Sequence, residues 1–378
     1  MADVSGNFDE RFRPVRDALA EQLDSGNELG AGIVVDVDGR TVVDIWGGWR
    51  DGGHTQPWTE NTIVNVWSTT KTVTNLAALM LADRGQLDPY APVSKYWPQF
   101  AENGKEHVEV RHVLSHTSGV SGWEPPFTLE QMYDWDVSSA QLASQPPWWT
   151  PGTASGYHAT NQGQLVGELV RRVSGKDLRT FVADEIAGPL GVDFQIGAAE
   201  SDWDRIAPVV PPPPLPFDFE SLDPASPMVK TLGGPVSAEA ANTPEWRRAD
   251  LGAVNGHGNA RSVAGILKSL ALGGTVDGVR LLSADTINGI FDEQSHGPDL
   301  VLAIPLRFGI GYALPETETV PYVPQGRACY WGGWGGSVIL MDLDTRTTIS
   351  YMMNKMAPGI IGSDRSEAYV RAVRGCLG

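Results

Sequence analysis

The chain has 378 residues, 41% of them apolar and 20% charged, with a formal net charge of −18. That length and composition fit a folded protein with a sizeable core and exclude a disordered one. The acidic surplus argues against nucleic acid or an anionic membrane as partner, since both would repel it.

In chain order, 8–25 reads as an amphipathic helix carrying Phe12, Val15, Leu19 and Leu23 on one face and stopping before Gly26. A hairpin follows, 31–37 and 41–46, turned by Asp38-Gly39 between β-branched runs. Residues 62–67 lead into a long apolar-periodic helix that begins near Ser68 and is stopped by Gly85. From 90 to 249 the pattern is helical pieces separated by Pro-, Gly- and Trp-rich loops, the clearest helix being 161–173. The run 209–216, with five prolines, predicts an extended loop over the surface. A helix at 262–272 then precedes two strands, 334–343 and 347–353, and a terminal helix at 364–377. Strands at both ends with helices between predict an α+β fold. Its antiparallel β-sheet comes from 1–89 plus 250–378 and is flanked by helices, with a mostly helical region, 90–249, inserted in a single domain.

The polar, acidic N-terminus has no basic segment followed by an apolar run, so no secretory leader is expected. No stretch approaches the ~18 apolar residues of a membrane span. Cys329 and Cys376 are the only cysteines, which suggests a reducing compartment and no structural disulfide. A cytoplasmic location is the expectation.

Three short segments carry chemistry. Ser68-Thr69-Thr70-Lys71 places a hydroxyl and an amine one helical turn apart, so Lys71 can reach the Ser68 oxygen. Serine needs a base to take its proton, and burial among apolar neighbours lowers a lysine pKa far enough to make one. Tyr157, in a loop before the 161–173 helix, can lend its phenol to proton transfer, more so if a lysine cation lowers its pKa. Tyr330 to Ser337 opens a C-terminal strand, and its glycines mark close backbone approach, where a strand N–H can serve an oxyanion. Taken singly, each segment also reads as ordinary structure: a helix start, a packed tyrosine, a glycine bulge.

The order Ser68-Thr-Thr-Lys71, Tyr157, then Trp331-Gly332-Gly333 resembles the serine β-lactamase and penicillin-binding-protein superfamily. The esterase branch, the family VIII carboxylesterases related to class C β-lactamases, is the nearest match. The stretch 110–119, ending Leu114-Ser115-His116-Thr117-Ser118-Gly119, resembles that family's LLSHTSG segment, and 165–175 resembles the helix after its tyrosine. The resemblance spans roughly residues 10–375. It implies that Ser68 is acylated, that Lys71 is its general base or proton relay, and that Tyr157 carries protons to the leaving alcohol and helps activate water. It also implies an oxyanion hole from the backbone N–H groups of Ser68 and Trp334.

Two positions depart from the family. Its tyrosine motif is usually Tyr-x-Asn, whereas this chain reads Tyr157-His158-Ala159 with Asn161 beyond. Its Lys-Thr-Gly motif is Trp331-Gly332-Gly333 here, which removes the cation that would grip a substrate carboxylate and favours a neutral, apolar ester of short or medium acyl length. Hydrolysis of β-lactams or D-amino-acyl peptides is the alternative, and a catalytically silent binding member of the fold a further one. Trp123, Trp135, Trp148 and Trp149, with Asn161, are candidate pocket walls, although each tryptophan equally suits a core. There is no GxSxG elbow. His112 and His116 have an i, i+4 spacing but no third ligand, so no metal is expected, and no cofactor. A small-molecule ester is the expected partner.

Overall fold

The structure is a computed structural model in which residues 2–213 and 221–378 are described. Its centre is a six-stranded antiparallel sheet. The strands are β1 (Val4–Phe8), β2 (Gly30–Val37), β3 (Arg40–Gly48), β4 (Ala328–Gly332), β5 (Val338–Asp342) and β6 (Thr347–Met353), in spatial order β1-β3-β2-β6-β5-β4. The two ends of the chain meet where β2 pairs β6, Ile33 opposite Tyr351 and Val35 opposite Ile349.

Side chains alternate across this sheet, as the strand period of two requires. Ile33, Val35, Leu340, Ile349 and Tyr351 share a buried cluster with Phe12, Val15, Leu19, Tyr369 and Val370. Those partners lie on or beside helices α1 (Arg13–Asp24) and, in chain order, the last, α5 (Asp364–Leu377). The alternate residues Val34, Ile339, Met341 and Met352 join the opposite cluster. It contains Leu76, Val73 and Met80 of α2 (Thr70–Asp83), Leu165 and Val166 of α3 (Gln162–Ser174), and Val263, Ile266 and Leu270 of α4 (Ala260–Ala271). The helical stretch between α2 and α4 supplies most of the rest of that cluster.

Several expectations need correcting. Residues 8–12 are not the start of α1: Val4–Phe8 pair with β3 as an edge strand, and Pro14 sits in the first turn of a helix that begins at Arg13. Ser5, Gly6 and Asn7 are poor strand formers, so only the free edge of β3 imposes the pairing. The segment 330–337 does not open a strand. It ends β4 at Gly332, reverses through Gly335 and Gly336 at φ 93° and 118°, and opens β5 at Val338. Of the expected extended loop, Val210 pairs with the chain around Asn354 and Met356, while 214–216 lie outside the described residues.

One buried ion pair ties the two chain ends. Arg365 Nη1 donates to Glu28 Oε1 at 2.6 Å, and its other donors reach Asn27, Gly335 and Lys355 carbonyls. The other Glu28 oxygen accepts from Tyr351 and Tyr369 hydroxyls. Removing one partner of such a pair leaves an uncompensated charge, so Arg365→Leu should cost about 3 kcal/mol of stability. A urea midpoint unchanged in that variant would contradict this. Among the described residues, no helix is long and apolar enough to cross a membrane.

Candidate active site

Ser68 lies in a single 3-10 turn, Trp67–Thr69, that runs directly into α2. Trp67 holds a φ of 50°, a conformation a bulky side chain adopts only when its surroundings compel it. The compulsion is visible. Val66 N–H donates to Gly256 O (2.8 Å), Thr70 Oγ1 donates to Trp67 O and accepts from Gly256 N–H (2.8 Å), and Thr69 Oγ1 lies 3.0 Å from Ser337 Oγ. The turn is therefore stitched to the strand Gly256–Gly258 on one side and to the β4–β5 reversal on the other.

Gly333 explains how that reversal comes so close. A Cβ there would lie 2.5 Å from Val66 O, so only glycine lets the chain pass. The next residue, Trp334, then faces the same cavity as Ser68. Its N–H has no acceptor among the described residues.

Lys71 is 2% exposed and Ser68 5%. Lys71 Nζ lies 3.0 Å from Ser68 Oγ and donates to Ala159 O at 2.7 Å and Ala253 O at 2.9 Å. Among the described residues no carboxylate pairs with it, and burial pushes its amine well below the ordinary lysine value. The Tyr157 ring sits 4.9 Å from the amine, and Ser68 beside its hydroxyl acts to lower the phenol pKa. Trp331 Nε1 donates to the same hydroxyl at 3.2 Å. Burial pushes the Tyr157 phenol up, outweighing both neighbours, so the expected lowering by a lysine cation does not occur.

Ser68, Tyr157 and Trp334 face a cavity of about 100 Å³ whose other walls are Trp67, Ala159, Thr160, Thr231, Leu232, Gly234, Val236, Val254 and Ile360. No charged side chain is among them. Trp331, Gly332 and Gly333 do not line it; Trp331 instead packs on Tyr157, ring centres 5.0 Å apart.

The candidate pocket residues are placed elsewhere. Trp123 stacks on Phe127 and donates to Ser138 O (3.1 Å), Trp135 donates to Glu168 (2.8 Å), Trp148 to Glu124 (2.6 Å) and Trp149 to Ala154 O (3.0 Å). Each indole N–H thus satisfies an acceptor within the inserted region, which is where a packed tryptophan belongs. Asn161 is buried and donates to Val120 O at 2.9 Å, also off the cavity. The true walls at Thr231, Leu232, Gly234 and Val236 carried no sequence signal, because nothing in their pattern says which way that loop folds. His112 caps its own helix by accepting from Glu109 N–H, and His116 lies beyond the end of that helix, so the two do not share a helix face. Among the described residues no cluster of three or more His, Cys, Asp or Glu could hold a metal ion.

Residues 15–372 match the beta-lactamase family model. The chain belongs to the beta-lactamase family. It is 31% identical over 380 residues to the esterase/beta-lactamase LipL of Mycobacterium tuberculosis, covering 96% of this chain and 86% of that protein. A crystal structure of a family VIII carboxylesterase superposes with a TM-score of 0.93 at 36% identity, covering 99% of this chain and all of the other. A penicillin-binding protein homologue from Caulobacter crescentus gives 0.91 at 34% identity, with the same coverage.

Proposed function

We propose that this family member is a carboxylesterase that works through an acyl-enzyme on Ser68. The observation that carries the reading is a buried amine 3.0 Å from a serine hydroxyl that faces a small cavity, with no charged side chain among the cavity's described walls. A neutral amine has two hydrogens and one lone pair. Both hydrogens are directed at the Ala159 and Ala253 carbonyls, which leaves the lone pair for the Ser68 proton.

In the proposed cycle Lys71 takes that proton as Ser68 Oγ attacks the ester carbonyl. The backbone N–H groups of Ser68 and Trp334 receive the oxyanion. Tyr157 gives its hydroxyl proton to the departing alkoxide and is reprotonated from the Lys71 ammonium. Water then attacks the acyl carbon and loses a proton to the same pair, the acyl C–Oγ bond breaks, and the pair returns that proton to Ser68 Oγ as the carboxylic acid leaves.

The uncharged lining supports a neutral ester over a β-lactam or a peptide ending in a carboxylate, either of which would bury its charge unpaired. Two unbridged cysteines, one buried, are in keeping with a reducing, cytoplasmic setting. The test is a fluorophosphonate probe followed by intact mass, together with turnover of p-nitrophenyl butyrate and nitrocefin. One adduct, mapped to Ser68, and ester turnover far above lactam turnover are expected; no adduct would sink the proposal.

Leu232 is one of the cavity's aliphatic walls, so its truncation should lengthen the acceptable acyl chain. Leu232→Ala is expected to raise the ratio of kcat/KM for the octanoate over the butyrate ester about tenfold. An unchanged ratio would remove Leu232 from the specificity wall.

A further inference from the structure

Residues 156–159 make a tight reversal whose two outputs both face Ser68. Gly156 N–H donates to His116 O (2.9 Å), and Ala159 N–H donates to Tyr157 O (2.8 Å), a three-residue turn centred on His158. One output is the Tyr157 hydroxyl. The other is the Ala159 carbonyl, which accepts from Lys71 Nζ. The position of this turn therefore sets the base and the acid at once.

His158 is fully buried, and its backbone N–H and both ring nitrogens are bonded inward. Its N–H donates to His116 Nδ1 at 3.1 Å, Nδ1 lies 2.7 Å from Gly156 O, and Nε2 lies 2.6 Å from Ser118 Oγ. A carbonyl can only accept, so the ring hydrogen is on Nδ1. Nε2 is then an acceptor, and Ser118 donates to it. Ser118 Oγ in turn accepts Val120 N–H at 3.1 Å. Burial pushes the His158 imidazole down to about 3, so the ring stays neutral and this chain of donors keeps one direction at working pH. Asp299 holds the other flank, its Oδ1 accepting Tyr157 N–H at 3.0 Å.

We propose that His158, locked by Ser118, is a positioning residue that holds Tyr157 and the Ala159 carbonyl in register with Lys71. The proposal rests on the acyl-enzyme reading above. His158 is not itself a wall of the cavity, so it acts on substrate only through the turn that carries Tyr157 and Ala159. Misplacing reacting groups by about 1 Å, or losing a hydrogen bond behind a catalytic group, commonly costs 10- to 100-fold.

The experiment uses the full chain with His158→Leu and Ser118→Ala, and His158→Asn as the conservative variant able to donate to Gly156 O. Expected for His158→Leu is a fall in kcat for p-nitrophenyl butyrate of about 10- to 100-fold with KM little changed. Ser118→Ala should lose less, and His158→Asn should recover part of the rate. The acid limb of kcat/KM should also move to lower pH, because a displaced Ala159 carbonyl no longer favours the Lys71 ammonium. The groups facing that amine are Ser68 on its own helix, Tyr157 and His158 on this turn, and His116 from the 115–119 loop; the 251–256 segment offers it only a carbonyl. A limb that stays or moves upward while rate and thermal midpoint fall together would mean a merely structural histidine and overturn the proposal. Unchanged kcat in His158→Leu would do the same. Ser68 labelling in each variant separates this outcome from failure of the esterase reading, which would appear as an unlabelled wild-type protein.

Discussion

Lys71→Met is expected to lower the acylation rate about 10³-fold, or ~4 kcal/mol of barrier, with the fold intact. Methionine keeps the length and apolar packing of the side chain and deletes the amine. The serine then faces an ester with no base, because the nearby phenol holds its proton more tightly than a free tyrosine does. Lys71→Arg should be equally inactive. Arginine restores a cation beside Ser68 but stays protonated, so it cannot accept the serine proton. The pair of variants thus separates a base from a mere positive charge. Pre-steady-state release of p-nitrophenol reads acylation directly, and near-normal acylation in either variant would refute the assignment.

The pH dependence follows from the same burial. An amine whose pKa is lowered by desolvation is already free of its proton at pH values where an exposed lysine is charged. Activity should therefore rise on an acid limb set by Lys71, well below the ordinary lysine range. The sign for stability is the opposite of that for a salt-bridged lysine. The folded state binds fewer protons than the unfolded one between the two Lys71 pKa values, so this residue's contribution becomes more favourable as pH rises through that window.

Much of this was legible in the sequence for a physical reason. The β2–β3 hairpin, β6 and α5 each combine a clear period with their own turn or stop signal, and local rules suffice for such elements. Ser68 and Lys71 could be paired because one helical turn links them. Tyr157 could be named, but its direction could not, since Trp331 and Asp299, which hold it, lie more than 140 residues away. The same distance hid the role of Trp331. As a motif position it reads as a substrate contact, yet its indole is spent on the Tyr157 hydroxyl. The cavity walls were hidden because a tryptophan-rich loop and an aliphatic one look alike until the backbone chooses which faces inward. Edge strand β1 was hidden because its pairing belongs to β3 and not to its own residues.

Tyr157→Phe is expected to cost about 10²- to 10³-fold in kcat, and its signature should differ from that of Lys71→Met. The ring remains, so the packing against His116, Trp331 and the Lys71 amine survives. What disappears is one oxygen that lies beside Ser68 and accepts from Trp331 Nε1. Lys71 can still take the serine proton, so attack on the ester persists in weakened form. Lys71 has no second group to pass the proton to the leaving oxygen, and in the second half-reaction none to help it draw a proton from water. An aryl ester with a good leaving group needs little protonation to expel it. Acylation by p-nitrophenyl butyrate should therefore suffer less than deacylation, and an acyl-enzyme on Ser68 should accumulate and be visible by intact mass. An alkyl ester, whose alkoxide must be protonated as it leaves, should instead lose acylation and show no accumulation. Equal losses for the two leaving groups would place the tyrosine outside the proton path and leave its hydroxyl a prop for Ser68.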